Sequence, residues 1–306
     1  MKSRALMLIA GACAVVSGTP VAGVAQDSAS PRFRNVRLST GVRLHYAEQG
    51  DTTSTSEPII LLHGLSDSWF SFSLVLPLLS AQHRVYALDQ RGHGNSDRPA
   101  SGYHMRDLAA DVIAFMDAKK IVRATIVGHS MGSFVAQQVA VAAPKRVSRL
   151  VLVGSTTTPR TIAGMTGLVD AVKSFSDPVP TSFLREFQVS TVYQGVSSEF
   201  IDRAVAESAK LPARVWRELA AGLLATDPPL PLGRSNIPTL VIWGENDTYC
   251  LRPEQDALVA LIRSALLKAY ANTGHAVHWE RPTVFSRDVL AFIARPTGSV
   301  AAAQSK

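Results

Sequence analysis

Ala124-Thr125-Ile126-Val127-Gly128-His129-Ser130-Met131-Gly132 is the stretch on which the reading of this chain turns. An apolar, β-branched run has the length of a buried strand and leads into Gly-x-Ser-x-Gly; residues 131–143, rich in Ala and Val, continue as a helix that stops before Pro144. A serine between strand and helix is the setting of a nucleophile elbow. The turn is so tight that its flanks must be small, which Gly128 and Gly132 satisfy. It lifts the Ser130 hydroxyl above the sheet and leaves the Met131 N–H at a helix N-terminus, where negative charge is favoured. Alone, the motif also fits a serine in an ordinary strand–helix turn, so the rest of the chain has to supply partners.

A serine hydroxyl is a poor nucleophile at neutral pH and needs a base. Asn272-Thr273-Gly274-His275 follows the strand-like run Leu266–Tyr270, which puts His275 at the same C-terminal sheet edge as Ser130. His278 is the near alternative; the turn residue Gly274 and the strand end favour His275. The base in turn needs an orienting acid. Trp243-Gly244-Glu245-Asn246-Asp247 follows another strand, and Asp247 is the candidate, with Glu245 its local rival. Its role is to hold the imidazole tautomer and stabilise the imidazolium. The oxyanion requires two donors: the Met131 N–H, and the Leu65 N–H in the loop His63-Gly64-Leu65, where Gly64 allows close backbone approach. His63 reads as a brace for that loop.

Outward from these points, strand-like and helix-like runs alternate, the rhythm of a parallel sheet wrapped by helices. Residues 33–38 and 42–47 form a first antiparallel pair. Strands follow at 58–62, 84–88, 124–127, 150–153, 239–243 and 266–270, with helices at 103–119, 131–143, 254–264 and 282–294. Residues 157–234 break the rhythm. They are helix-like, with Phe183 and Phe187 one turn apart and Trp216, Ala220, Leu223 and Leu224 on one face, and they are punctuated by Pro178, Pro180, Pro212 and Pro228-Pro229. The division is a core of residues 26–156 and 235–306 with a helical cap at 157–234. Residues 26–35 and 296–306, small and polar, read as loose tails.

The 306 residues are 46% hydrophobic and 18% charged, too apolar for a disordered chain and long enough for a large core. The net charge is +7, carried by scattered Lys and Arg with no basic run and no aromatic interleaving, which excludes a nucleic-acid-binding face. Residues 1–25 pair a basic start with a short apolar run and end in Gly23-Val24-Ala25, the pattern of an export signal cleaved after Ala25. Cleavage removes the charges of Lys2 and Arg4, leaves Cys250 as the only cysteine, and implies a periplasmic or secreted protein. Lipoprotein processing at Cys13 is the second reading. A membrane anchor fits less well, because Ser17, Gly18 and Pro20 interrupt the apolar run; no stable membrane insertion of the mature chain is expected. Two lone cysteines build no zinc cage, and neither GxGxxG nor a P-loop is present, so no metal and no cofactor is implied. The sequence carries no signal for an oligomeric state.

These stretches resemble the α/β-hydrolase superfamily, in the branch with a helical cap. The resemblance runs over His63-Gly64-Leu65, Asp89-Gln90-Arg91-Gly92-His93-Gly94-Asn95-Ser96-Asp97, the elbow at Ser130, Trp243-Gly244-Glu245-Asn246-Asp247 and Gly274-His275, in the expected order and across roughly residues 36–294. It implies an α/β fold with an eight-stranded, mostly parallel sheet whose second strand is antiparallel, helices on both faces and an inserted cap. It also implies a Ser130–Asp247–His275 triad. The Arg91-Gly92-His93-Gly94 segment is mainly structural in the family, so no catalytic role passes to His93 or Asp97. Haloalkane dehalogenases and epoxide hydrolases of this branch use an aspartate nucleophile, which Ser130 sets aside. Position 133 is Ser where many members have Gly.

The expected activity is hydrolysis of a modest-sized carboxylic ester with an apolar or aromatic part, through an acyl-enzyme, with a small ester-like molecule as partner. Lactonase or carbon–carbon hydrolase chemistry uses the same triad, acyl transfer and cofactor-free peroxidation are further variants, and a slow-turnover binding receptor is the reading from another class. Phe175, Phe183, Phe187, Tyr193, Phe200 and Trp216, with Trp69, Phe70 and Phe72, are the candidates for an apolar pocket wall. Arg185, Arg203, Arg214 and Arg217 are the cap cations within reach of a substrate carboxylate, though solvent is their default.

Overall fold

A computed structural model describes residues 30–53 and 55–296. The export signal, the Ala25 junction and Cys13 lie outside them. The strands are β1 (Arg32–Arg37), β2 (Arg43–Gln49), β3 (Ile59–Leu62), β4 (Val85–Leu88), β5 (Ala124–His129), β6 (Val147–Val153), β7 (Thr239–Gly244) and β8 (Ala265–Tyr270). They form one eight-stranded sheet in the order β1-β2-β4-β3-β5-β6-β7-β8. β2 runs antiparallel to both β1 and β4, and every pair from β4 to β8 is parallel.

The helices are α1 (Leu76–Ser80), α2 (Met105–Ala118), α3 (Met131–Ala142), α4 (Met165–Lys173), α5 (Thr181–Ser190), α6 (Ser198–Ser208), α7 (Ala213–Leu224), α8 (Arg252–Leu261), α9 (Val277–Glu280) and α10 (Pro282–Ile293). The unbroken apolar runs of β3 and β5 follow from burial on both sheet faces. Because successive side chains point to opposite faces, Ile60, Leu62 and Ile126 join the layer that holds α2, α3 and α8. Ile59, Leu61 and Val127 join the other, with Phe72 and the α10 residues Phe285, Val289 and Phe292.

The structure departs from the sequence reading in three places. Residues 32–35, which composition alone marks as part of a loose tail, belong to β1: strand pairing with β2 from Arg32 opposite Glu48 captures them. The short helices α1 and α9 were not anticipated, because four or five residues carry too little periodicity. β6 starts three residues earlier than the apolar run, since its polar beginning Val147-Ser148-Arg149 pairs with β5.

Between β6 and β7 the chain leaves the sheet and forms α4–α7. α4 packs on α7 and α5 on α6. Trp216 of α7 is completely buried, with the edges of Phe175, Phe183 and Phe187 around it at centroid distances of 6.3, 5.6 and 5.4 Å. Among the described residues, no helix is long and apolar enough to cross a membrane.

Candidate active site

Ser130 stands between β5 and α3 with φ 50° and ψ −120°, a conformation that costs a non-glycine residue about 1–3 kcal/mol. The surroundings hold it there. Its N–H donates to Val153 O at 2.9 Å, and its carbonyl accepts from Ser133 N at 2.8 Å and Ser133 Oγ at 2.6 Å. A Cβ on Gly128 would fall onto the Gly132 carbonyl, and one on Gly132 onto the Leu62 carbonyl. Both glycines are therefore required by contact. Ser133, where the family often has Gly, fastens the elbow: its Oγ also lies 2.7 Å from Ser155 Oγ.

His275 follows β8 and is 5% exposed. Its Nδ1 lies 2.8 Å from Asp247 Oδ2, which leaves Nε2 free of that carboxylate. Asp247 is in turn fixed by Tyr249 N at 2.8 Å and Cys250 N at 3.0 Å on Oδ1. Glu245, the local rival, is exposed. His278, the rival base, is fully buried, and its Nε2 is 3.0 Å from Ser71 Oγ; burial first, then His275, holds it down to about 3. Gly154 passes directly under the His275 imidazole, where a Cβ would come within 2.8 Å of Nδ1.

Ser130, Met131, Leu65 and His275 open into one chamber of about 420 Å³ roofed by α4 and α5. Neither the Leu65 nor the Met131 N–H meets an acceptor among the described residues, which suits them to a developing oxyanion. His63 braces this loop: its Nε2 accepts from Gln90 N at 3.1 Å, its carbonyl accepts from Gln90 Nε2 at 2.8 Å, and its Nδ1 lies 2.8 Å from Gly64 O. Asp89 anchors the neighbouring loop through Trp69 N, Asn95 N and His45.

Of the aromatic wall candidates, Phe183 and Phe187 line the chamber. Phe175 and Trp216 pack behind them. Trp69, Phe70, Phe72, Tyr193 and Phe200 lie elsewhere, and Phe134, Tyr249 and Trp279 take places that periodicity did not reveal. The four cap arginines are spent away from the chamber, on Asp202, Glu207, the Arg98 and Ala100 carbonyls, and the Phe175 carbonyl.

Glu280 and Gln188, polar residues in the wall and its supports, were also missed, as was Asp67. Glu280 Oε1 accepts from Gly274 N at 2.8 Å and Tyr193 N at 3.1 Å, and its Oε2 from Gln194 N at 3.0 Å. One carboxylate thus ties the cap to the His275 loop. Gln188 of α5 reaches Asp67 behind the oxyanion loop. The local sequence gives no signal for either, since their partners lie 6 to 121 residues away.

Asp247, Cys250 and His275 bring potential metal-ligand atoms within 4.8 Å of one another. The Asp247 oxygens already serve His275 and two backbone amides, and burial, followed by Asp247, pushes the Cys250 thiol well up. The geometry is that of an oriented imidazole rather than of an open metal cage.

Residues 57–282 match the α/β-hydrolase fold family, and the chain belongs to it. It is 30% identical over 282 residues to a 2-hydroxy-6-oxononadienedioate/2-hydroxy-6-oxononatrienedioate hydrolase of Paraburkholderia xenovorans, covering 88% of this chain and 96% of that one. It is 32% identical over 288 residues to a non-heme chloroperoxidase of Streptomyces lividans, covering 84% and 98%. Among solved structures, a hydrolase from Pseudomonas aeruginosa PA01 superposes with a TM-score of 0.75 at 26% identity, over 86% of this chain and 99% of that one.

Proposed function

We propose that this protein hydrolyses a carboxylic ester of modest size, with an apolar or aromatic part, through an acyl-enzyme on Ser130. The observation that carries the reading is the oriented pair His275 Nδ1–Asp247 Oδ2, 2.8 Å apart, in the same chamber as a serine held at φ 50°. Ser130 Oγ attacks the ester carbonyl as its proton passes to His275. The carbonyl oxygen becomes an oxyanion facing the Leu65 and Met131 N–H groups. Collapse expels the alcohol, which takes the proton from His275. Water, deprotonated by the same imidazole, then attacks the acyl-enzyme, and the acid departs with Ser130 restored. Asp247 keeps Nδ1 protonated and offsets the imidazolium charge while remaining ionised.

The apolar wall of Met165, Leu168, Ala171, Phe183 and Leu223 supports an apolar acyl or alcohol part. Carbon–carbon cleavage on the same triad is the second reading, favoured by the likeness to the Paraburkholderia hydrolase.

The test pairs residues 26–306 with Ser130→Ala on short- and medium-chain aryl esters, alongside labelling by a fluorophosphonate. The expected result is label on Ser130 and turnover that falls by about 10⁴-fold or more in the variant. Label without ester turnover moves the assignment to lactone or carbon–carbon chemistry. A folded protein with neither is a binding protein.

A further inference from the structure

The chamber wall holds a charge that the triad does not use. Asp67, two residues beyond Leu65, is 6% exposed and lines the cavity. Its Oδ1 accepts from Gln188 Nε2 at 3.0 Å and its Oδ2 from Ser71 Oγ at 3.1 Å, and the Gly64 backbone also supports it. A carboxylate has about four acceptor positions, so capacity remains toward the cavity. No Lys or Arg lines the chamber, and among the described residues Asp67 has no ion-pair partner. The other carboxylate on the wall, Glu186, sits exposed on α5. The cavity therefore combines an apolar lining with an uncompensated negative charge close to the oxyanion loop.

We propose that Asp67 sets the charge class of the substrate: it accepts a hydrogen bond from a hydroxyl or amine donor on an otherwise uncharged ester, and it excludes substrates that carry a carboxylate. The proposal rests on the ester-hydrolase reading and deepens it. A carboxylate brought within about 6 Å of another in a site of effective dielectric near 20 is disfavoured by roughly a hundredfold. A donor at the same place gains the acceptor that Asp67 leaves open.

Acid relieves the exclusion. Burial raises Asp67 to about 6, against the hydrogen bonds from Gln188, Ser71 and Gly64 and the attraction of His275. The titratable groups around it are His63 on its own loop, His129 at the end of β5, His275, His278 of α9 and Glu186 of α5. Burial keeps the imidazoles of His63, His129 and His278 below their ordinary range, His63 lowered, His129 well below it and His278 at about 3. Comparing the methyl–carboxylate ratio between the native protein and an Asp67→Asn variant, which keeps His275, reports the Asp67 charge.

The experiment measures labelling rates of Ser130 by three fluorophosphonates of equal length, ending in methyl, hydroxyl and carboxylate. At pH 8 the carboxylate reagent is expected to label about a hundredfold more slowly than the methyl reagent, and the hydroxyl reagent faster than both. In Asp67→Asn, and in the native protein below pH 5.5, the methyl–carboxylate gap should shrink at least tenfold by the same charge argument. Leu168→Arg places a cation on the facing helix and should also narrow the gap, which keeps the test alive if Asp67→Asn does not fold. Equal rates for methyl and carboxylate in the native protein, or a gap unchanged in both variants, overturns the proposal. Labelling reads charge selection without turnover, so labelled Ser130 with no ester hydrolysis defeats the ester reading alone. No labelling by any reagent overturns both.

Discussion

At the C-terminal edge of the sheet, each side chain of the candidate triad stands on a short loop leaving a strand: Ser130 after β5, Asp247 after β7, His275 after β8. Backbone pairing across the parallel strands fixes their relative heights, and small residues at Gly128, Gly132 and Gly154 let the backbone crowd beneath them. Across the chamber the cap works differently. No ladder holds it. Its helices rest on one another through Trp216 and the ring cluster of Phe175, Phe183 and Phe187, and it meets the core through apolar side chains such as Phe200 against Phe70 and Trp279 and through polar bonds from Gln188 and to Glu280. The comparison sets a rigid, locally encoded edge that carries the candidate triad against a roof held through long-range side-chain contacts.

The largest effect expected lies on the edge. Asp247→Asn preserves shape but lets the imidazole settle in the wrong tautomer, and kcat should drop by about 10³–10⁴-fold with little change in stability. A loss under tenfold in a folded protein would separate Asp247 from the reaction. The cap should give the opposite pattern. Trp216→Ala removes the centre of its ring cluster and should cost about 3–5 kcal/mol in urea unfolding. Its turnover at saturating ester should fall much less than its KM rises. An equal fall in kcat would show that the roof and the edge act as one unit.

The last effect belongs to the core alone and is on stability against pH. His63, His93, His129 and His278 are all held below their ordinary range, chiefly by burial. They stay neutral in the fold and gain a proton when it opens. Stability should therefore be complete above about pH 6.5 and fall as acid is added. Asp67 has the opposite sign: its raised value favours the fold at low pH, and that contribution is lost as pH rises to about 6. Urea titrations at pH 7 and 5 test the balance, and equal midpoints would show that these imidazoles do not govern it.

What could be read from residue order follows the same division. The strands were legible because burial on both faces writes them as unbroken apolar runs, as in Ile59–Leu62. The candidate triad was legible because each member follows such a run within a few residues. The cap's helices could be recognised by spacing, yet Trp216 turned into the cluster while Trp279 reached the chamber, because the contacts that decide this are distant. Trp279 Nε1 donates to the carbonyl of Ser71, 208 residues away. Asp67, Gln188 and Glu280 gave no local sign for the same reason. A polar side chain buried by tertiary packing looks, in sequence, like any surface residue.

The outermost strand, β1, carries Arg32, Arg34 and Arg37 in six residues on the open border of the sheet. An unpaired border is a template on which a second copy could extend the sheet. Two such borders brought together would set three guanidinium groups against three, with Glu48 and Asp97 already engaged in their own chains. A second copy adding to the sheet at this border would meet like charges first, which disfavours edge-to-edge pairing there.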